Sequence, residues 1–120
     1  MNAGKRTRVA VNGYGVIGKR VADAVTKQKD MQLVGVVDVL ADWRPRVAVS
    51  RGMPLFGAAL EHAEAMRKSG LKVAGTLEDL LAQVDVVVDC TPKKAAAKNV
   101  ETYRRRGFRV GVRRAVRLTA

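Results

Sequence analysis

The sequence predicts an α/β domain built on a doubly wound parallel sheet. Three observations carry that expectation. Short β-branched runs alternate with segments of helical apolar spacing, glycines stand where strand gives way to helix, and 120 residues suffice for one hydrophobic core but not two.

The elements follow in order. RVAVN (8–12) alternates, with Val9 and Val11 on one face, and stops at Gly13, as a short strand does. From Val16 to Lys27, Ile17, Val21, Ala24 and Val25 recur at three- and four-residue steps, the stripe of an amphipathic helix. QLVGVVDV (32–39) is nearly continuous and β-branched, as in a strand covered on both faces. A helix is expected over 43–51, then an apolar piece at Pro54–Phe56 and a helix over 58–69 ended by Gly70. LKVAG (71–75) reads as a short strand. Thr76 with Asp79 forms a capping pair that opens the helix LEDLLAQ. VDVVVD (84–89) is the third strong strand, Thr91-Pro92 turns the chain into an Ala-rich helix, and RVGV (109–112) reads as one more strand. Right-handed crossovers between such units leave a Rossmann-type topology.

Composition narrows the classes. The longest apolar runs fall well short of a bilayer span, and the basic N-terminus MNAGKRTR leads into a run broken by Asn12 and Gly13, a poor signal peptide. One cysteine excludes an internal disulfide framework and suits a reducing cytoplasm. The formal charge is +12, but its distribution is uneven. Residues 1–92 hold 13 Lys/Arg against 10 Asp/Glu, whereas residues 93–120 hold 10 Lys/Arg against Glu101 alone.

Gly13, Gly15 and Gly18 form G-x-G-x-x-G between a strand and a helix, where such a motif admits a dinucleotide. Gly13 permits the sharp turn, Gly15 lets backbone approach a pyrophosphate, and Gly18 lets the helix pack against the strand. The helix N-terminus offers free N–H donors to the phosphates. Asp38, 20 residues beyond Gly18 at the end of the second strand, is placed to accept hydrogen bonds from ribose hydroxyls. Its carboxylate repels a 2′-phosphate and so favours NAD over NADP, while nearby Arg44 and Arg46 keep NADP open.

VAVNGYGVIGKRVADAV, DMQLVGV, VAGTLEDLL and DVVVDCTPK together resemble archaeal-type (type II) glyceraldehyde-3-phosphate dehydrogenase. The resemblance covers residues 7–107, the leading, NAD(P)-binding part of such an enzyme, and NGYGVIGKRVADA is far more specific than a bare glycine pattern. It implies oxidation of glyceraldehyde 3-phosphate with NAD(P) and inorganic phosphate to 1,3-bisphosphoglycerate, through a cysteine thiolate and a hydride transfer. It further implies that the backbone of Gly13, Tyr14, Gly15, Val16, Ile17 and Gly18 meets the dinucleotide, that Thr91 and Pro92 shape the loop beside it, and that the full enzyme is a homo-oligomer.

Departures from the family are specific. Asp38 and Val39 stand where many members carry Lys and Thr suited to a 2′-phosphate, and KKAAAK replaces glycines after the Thr-Pro turn. The family's Gln-Gly-Gly segment and its Ser-Cys-Asn-Thr-Thr nucleophile segment have no counterpart here, so a single truncated domain without catalytic residues is expected. Residues 1–107 are taken as the Rossmann domain and 108–120 as a divergent basic tail. Codons for RAVRLT (114–119) exist whose neighbouring frame reads Gln-Gly-Gly-Gln-Ala-His, which makes a frameshift one source of that tail.

Other conspicuous residues have plainer readings. Cys90 is a small hydrophobe rather than a nucleophile, having no adjacent base. His62 belongs to a solvated helix face, and a lone His with a distant Cys makes no metal site. Trp43 with Arg44 either stacks on an adenine or starts a helix that packs on the sheet. Lys93, Lys94, Lys98 and Arg104 to Arg106 make a charged surface without the aromatic set of a nucleic-acid binder. Two functions remain: the cofactor part of the dehydrogenase, inactive alone, or a free-standing NAD-binding module whose basic end meets an acidic partner. The fragment is expected to expose apolar surface and to self-associate.

Overall fold

The computed structural model describes residues 6–40 and 42–118. The first five residues of the basic N-terminus and the last two residues of the tail lie outside the described residues. Among the described residues seven strands form one sheet: β1 (Thr7–Asn12), β2 (Met31–Asp38), β3 (Leu55–Gly57), β4 (Gly75–Thr76), β5 (Val86–Asp89), β6 (Phe108–Val110) and β7 (Arg114–Arg117). Five helices among the same described residues connect them: α1 (Val16–Thr26), α2 (Trp43–Ser50), α3 (Leu60–Lys68), α4 (Leu77–Leu81) and α5 (Lys93–Arg105). None of the helices is long and apolar enough to cross a membrane, among the described residues.

The spatial order is β4-β3-β2-β1-β5-β7-β6. β1 pairs in parallel with β2 on one side and β5 on the other, with Val11 opposite Val36 and Val88. Because neighbouring residues of a strand face opposite ways, the sheet supports two cores. On one face Val11 and Val36 pack with Ala22 of α1, Ala48 of α2 and Met66 of α3. On the other, Ala10, Val37 and Val87 pack with Leu80 of α4 and Tyr103 of α5. Helices on both faces of a mostly parallel sheet make this a doubly wound Rossmann-type fold.

Three local expectations shift. LKVAG joins the sheet only at Gly75, because Leu71 and Val73 turn into the core under α3 before the Ala74 N–H reaches Leu55 O at 2.8 Å. His62 is half-buried rather than solvated, with its Nδ1 enclosed and without a hydrogen-bond partner among the described residues. The segment from residue 108 is a hairpin within the sheet. β6 covers Phe108–Val110, the chain reverses through Gly111 and Arg113, and β7 lies antiparallel between β5 and β6.

Ladder bonds and burial explain that insertion. Asp89 N–H donates to Arg113 O at 2.9 Å and Arg117 N–H to Asp85 O at 2.7 Å. Phe108 and Ala115 then bury against the α5 side. Arg117 fastens the strand further: its Nε donates to Val84 O at 2.9 Å, and its guanidinium lies 4.6 Å from the Phe108 ring centroid.

Candidate functional site

Chain connections leave β1 and β5 in opposite directions, so a crevice opens at their carboxyl ends, the place where open α/β sheets take ligands. β1 delivers the glycine turn to that point. Gly13 adopts φ +96°, and a Cβ there would sit 2.9 Å from the Cys90 carbonyl carbon and the Thr91 nitrogen. Its N–H donates to Val37 O at 2.8 Å, tying the turn to β2. Gly18 lies against that turn: an added Cβ would stand 1.8 Å from Gly13 O. Gly15 differs, since a Cβ there meets nothing within 4 Å and points into open space. Gly13 and Gly18 are thus required by the protein's own packing, and Gly15 leaves room for something else.

α1 begins directly behind Gly15, without a side-chain cap and without an acid in its first turn. Its first N–H groups are therefore left to face a partner outside the helix. Val16 and Ile17 are exposed on this turn. Tyr14 is instead a core residue, buried among the helices and within 3.6 Å of Met53 Sδ, so only its backbone faces the crevice.

The crevice at the turn has a volume of about 510 Å3, and Gly13, Gly15, Asp38, Arg44, Thr91 and Pro92 are among its walls. Asp38 is 6% exposed. Its Oδ1 accepts from the Val39 N–H at 2.7 Å, while Oδ2 is enclosed and has no hydrogen-bond partner among the described residues. Burial pushes the carboxyl above its ordinary range, against the pull of the Val39 and Leu40 N–H groups and Arg44. A buried acceptor without a donor is costly, and it marks a place where a donor is missing. Of the two readings for Trp43, packing on the sheet does not hold: the indole is 60% exposed, with the Arg44 guanidinium 5.7 Å from its centroid.

On the other side of the turn a smaller crevice of about 380 Å3 is lined by Ile17, Val21, Val88, Cys90, Thr91 and Arg113. Cys90 is half-buried; burial and then Asp89 push its thiol up, opposite to what an activated thiolate needs. Cys90 and Thr91 line both spaces and so form the divider between them, with Pro92, which lines the larger one, at the N-cap of α5.

A buried polar cluster holds that divider. Asp89 accepts from Thr91 N–H at 2.9 Å, from Thr91 Oγ1, from Asn99 Nδ2 at 3.1 Å and from the Tyr103 hydroxyl at 2.7 Å. Asn12 Nδ2 in turn donates to the Tyr103 oxygen at 2.9 Å, linking the end of β1 to α5. Sequence reading singled out none of Asn12, Asn99 and Tyr103 as site residues. Asn12 and Tyr103 stand 91 positions apart, and no local pattern joins them. Among the described residues no group of His, Cys, Asp and Glu is arranged to hold a metal.

Residues 7–112 match the family model described as dihydrodipicolinate reductase, N-terminus. The chain belongs to that family. Relatives of this chain at 44% to 52% identity bear a different name. It is 52% identical over 102 residues to the glyceraldehyde-3-phosphate dehydrogenase of Aeropyrum pernix, covering 85% of this chain and 30% of that one. The enzyme of the same name from Methanothermus fervidus is 44% identical, covering 84% of this chain and 30% of the relative. That from Thermococcus kodakarensis is 47% identical over 87% of this chain and 31% of the relative. The resemblance read from NGYGVIGKRVADA is therefore borne out. The chain spans about 30% of the length of these relatives, so their name covers far more protein than these residues. A solved NAD-binding protein from Listeria innocua, 17% identical, aligns with a TM-score of 0.38 over 81% of this chain and 32% of that one, too distant to add to the fold assignment.

Proposed function

We propose that this chain is the NAD(P)-binding unit of a phosphorylating glyceraldehyde-3-phosphate dehydrogenase, and that it prefers NAD. The observation that carries the reading is the unpartnered Asp38 Oδ2, more than nine-tenths buried in a wall of the crevice that also contains Gly15. A ribose hydroxyl is the donor this oxygen lacks. The same carboxylate repels a 2′-phosphate, while Arg44 in the same crevice softens that discrimination.

The other residues fit the same ligand. The open space at Gly15 and the uncapped first turn of α1 suit a pyrophosphate, with the backbone of Gly13, Tyr14, Val16, Ile17 and Gly18 forming the cradle. Thr91, held by Asp89 and followed by Pro92, lines both the adenosine side and the smaller crevice, which suits the nicotinamide end. Bound there, the nicotinamide supplies a hydride acceptor for aldehyde oxidation. This chain's part is to hold and orient it, and we assign none of its residues a catalytic role. The substrate pocket and the nucleophile belong to the rest of such an enzyme, which acts as a homo-oligomer in the cytoplasm.

Titration of the purified chain with NAD and NADP, followed by Trp43 fluorescence, tests the reading. NAD binds tighter than NADP by about ten-fold, and Asp38→Asn narrows that gap, consistent with about 1.4 kcal/mol of discrimination. Failure of both dinucleotides to saturate the signal, or tighter binding of NADP, overturns it.

A further inference from the structure

A third crevice, of about 520 Å3, opens between α5 and the β6–β7 turn. Ala97, Val100 and Val110 give it apolar walls, and Lys93, Arg113 and Arg114 bring three positive charges to it. Among the described residues none of these three is in an ion pair; the paired arginines are Arg8, Arg51, Arg105 and Arg106. The one acid in the lining, Asp89, is 5% exposed and already accepts from Thr91, Asn99 and Tyr103. The positive charge at this crevice is therefore met by no exposed carboxylate of its own lining.

Arg113 adds a second observation. It is the one non-glycine residue with positive φ among the described residues, at +59°. Strained backbone of this kind persists where surrounding bonds over-determine it, and it concentrates at ligand clamps. Here Arg113 O accepts from Asp89 N–H at 2.9 Å, and the Gly111 N–H donates to Arg114 O at 2.8 Å. Arg113 Nη1 donates to Thr91 O at 2.6 Å, which positions the guanidinium and leaves its remaining N–H groups to other acceptors.

We propose that this crevice binds a small organic anion, a phosphate ester or carboxylate with a short apolar body, clasped by Lys93, Arg113 and Arg114. Guanidinium groups present paired donors that match both kinds of anion, and an apolar wall rewards a ligand that carries carbon beside its charge. The crevice shares Asp89 and Arg113 with the smaller one at the glycine turn, but Lys93, Val100, Val110 and Arg114 line neither crevice there, so the inference goes beyond the dinucleotide reading and does not depend on it.

The test is an amide NMR titration of the full chain with propyl phosphate, butyrate, inorganic phosphate and a single-stranded oligonucleotide, at about 0.15 M salt to screen diffuse attraction. Saturable shifts are expected at Val100, Gly111 and Arg113, with propyl phosphate or butyrate binding several-fold tighter than inorganic phosphate; which of the two binds tighter names the head group. Arg113→Gly removes the guanidinium while suiting the positive φ, and is expected to weaken binding about ten-fold. Arg109→Ala, on the same hairpin but outside this crevice, is expected to leave it unchanged. Non-saturating shifts spread over all cations, equal losses in both variants, or a response only to a single-stranded oligonucleotide overturn the proposal. NAD shifting Gly15 while neither organic anion moves Gly111 would sink the anion site and leave the dinucleotide reading standing.

Discussion

Asp38 illustrates how one residue trades stability for a ligand. Burial raises its folded pKa, so the folded state keeps the proton to higher pH than the unfolded chain does. Its ionisation therefore disfavours folding above the folded pKa, and the penalty is absent below the unfolded value of about 3.9. Asp38→Asn should raise stability at pH 7 by about 1 kcal/mol, or a few degrees of melting temperature, while weakening dinucleotide binding. Melting curves of both proteins from pH 3 to 8 check this, and the gain should vanish below about pH 4. Asp23, Glu78 and Asp85, each held low by an arginine, shift both proteins alike and cancel from the comparison.

The glycines separate in the same way. Gly18→Ala forces a Cβ to 1.8 Å from Gly13 O and should cost about 3 kcal/mol or more. Gly15 has φ −85°, which any residue adopts, and its Cβ space is empty. Gly15→Ala should therefore melt with the parent yet lose about ten-fold in NAD affinity, as read by calorimetry and titration. Equal destabilisation by the two substitutions would contradict the roles assigned here.

At the scale of elements, the β6–β7 hairpin depends on Arg117. The side chain bridges to the backbone of Val84 and of Leu81, and covers the Phe108 ring. Removing it strips two backbone carbonyls of a charged donor and exposes the edge of the second core. Arg117→Ala is expected to cost about 2 kcal/mol in chemical denaturation. Hydrogen exchange should rise first at Phe108–Val110 and Ala115, before β1 or β2 responds. Uniform loss of protection across the sheet would show that the hairpin is no separable unit. Basic residues in this region thus include structural fasteners, a role that a count of charges conceals.

At the scale of the molecule, seven of the nine large apolar side chains exposed among the described residues gather at one edge, the other two being Val116 and Leu118 on β7 and at its end. Val16, Ile17, Val39, Leu40, Trp43, Leu60 and Val112 all lie at the carboxyl ends of the parallel strands or in the turns that follow them. A net charge of +12 keeps copies apart at low salt. Raising the salt shortens the Debye length from about 30 Å at 0.01 M to about 8 Å at 0.15 M, and leaves the apolar contact to act. Light scattering should therefore show mass rising with salt and with concentration. A constant monomer mass under both changes would count against an adhesive carboxyl edge.

What the chain sequence determined by itself is local. β-branched runs, helical stripes, the Thr76–Asp79 capping pair and the G-x-G-x-x-G spacing each act over a few residues, and each appears close to where the pattern placed it. The position of Asp38 at the end of β2 follows from the same patterns. Tertiary structure alone decided that Asp38 keeps one oxygen without a partner, since that depends on what encloses it rather than on what precedes it. It also decided that β7 enters between β5 and β6, and that Asn12, Asp89, Asn99 and Tyr103 share one buried cluster. Backbone preference is set by neighbours in sequence, whereas burial and the pairing of polar groups are set by neighbours in space; in this fold those come from opposite ends of the chain.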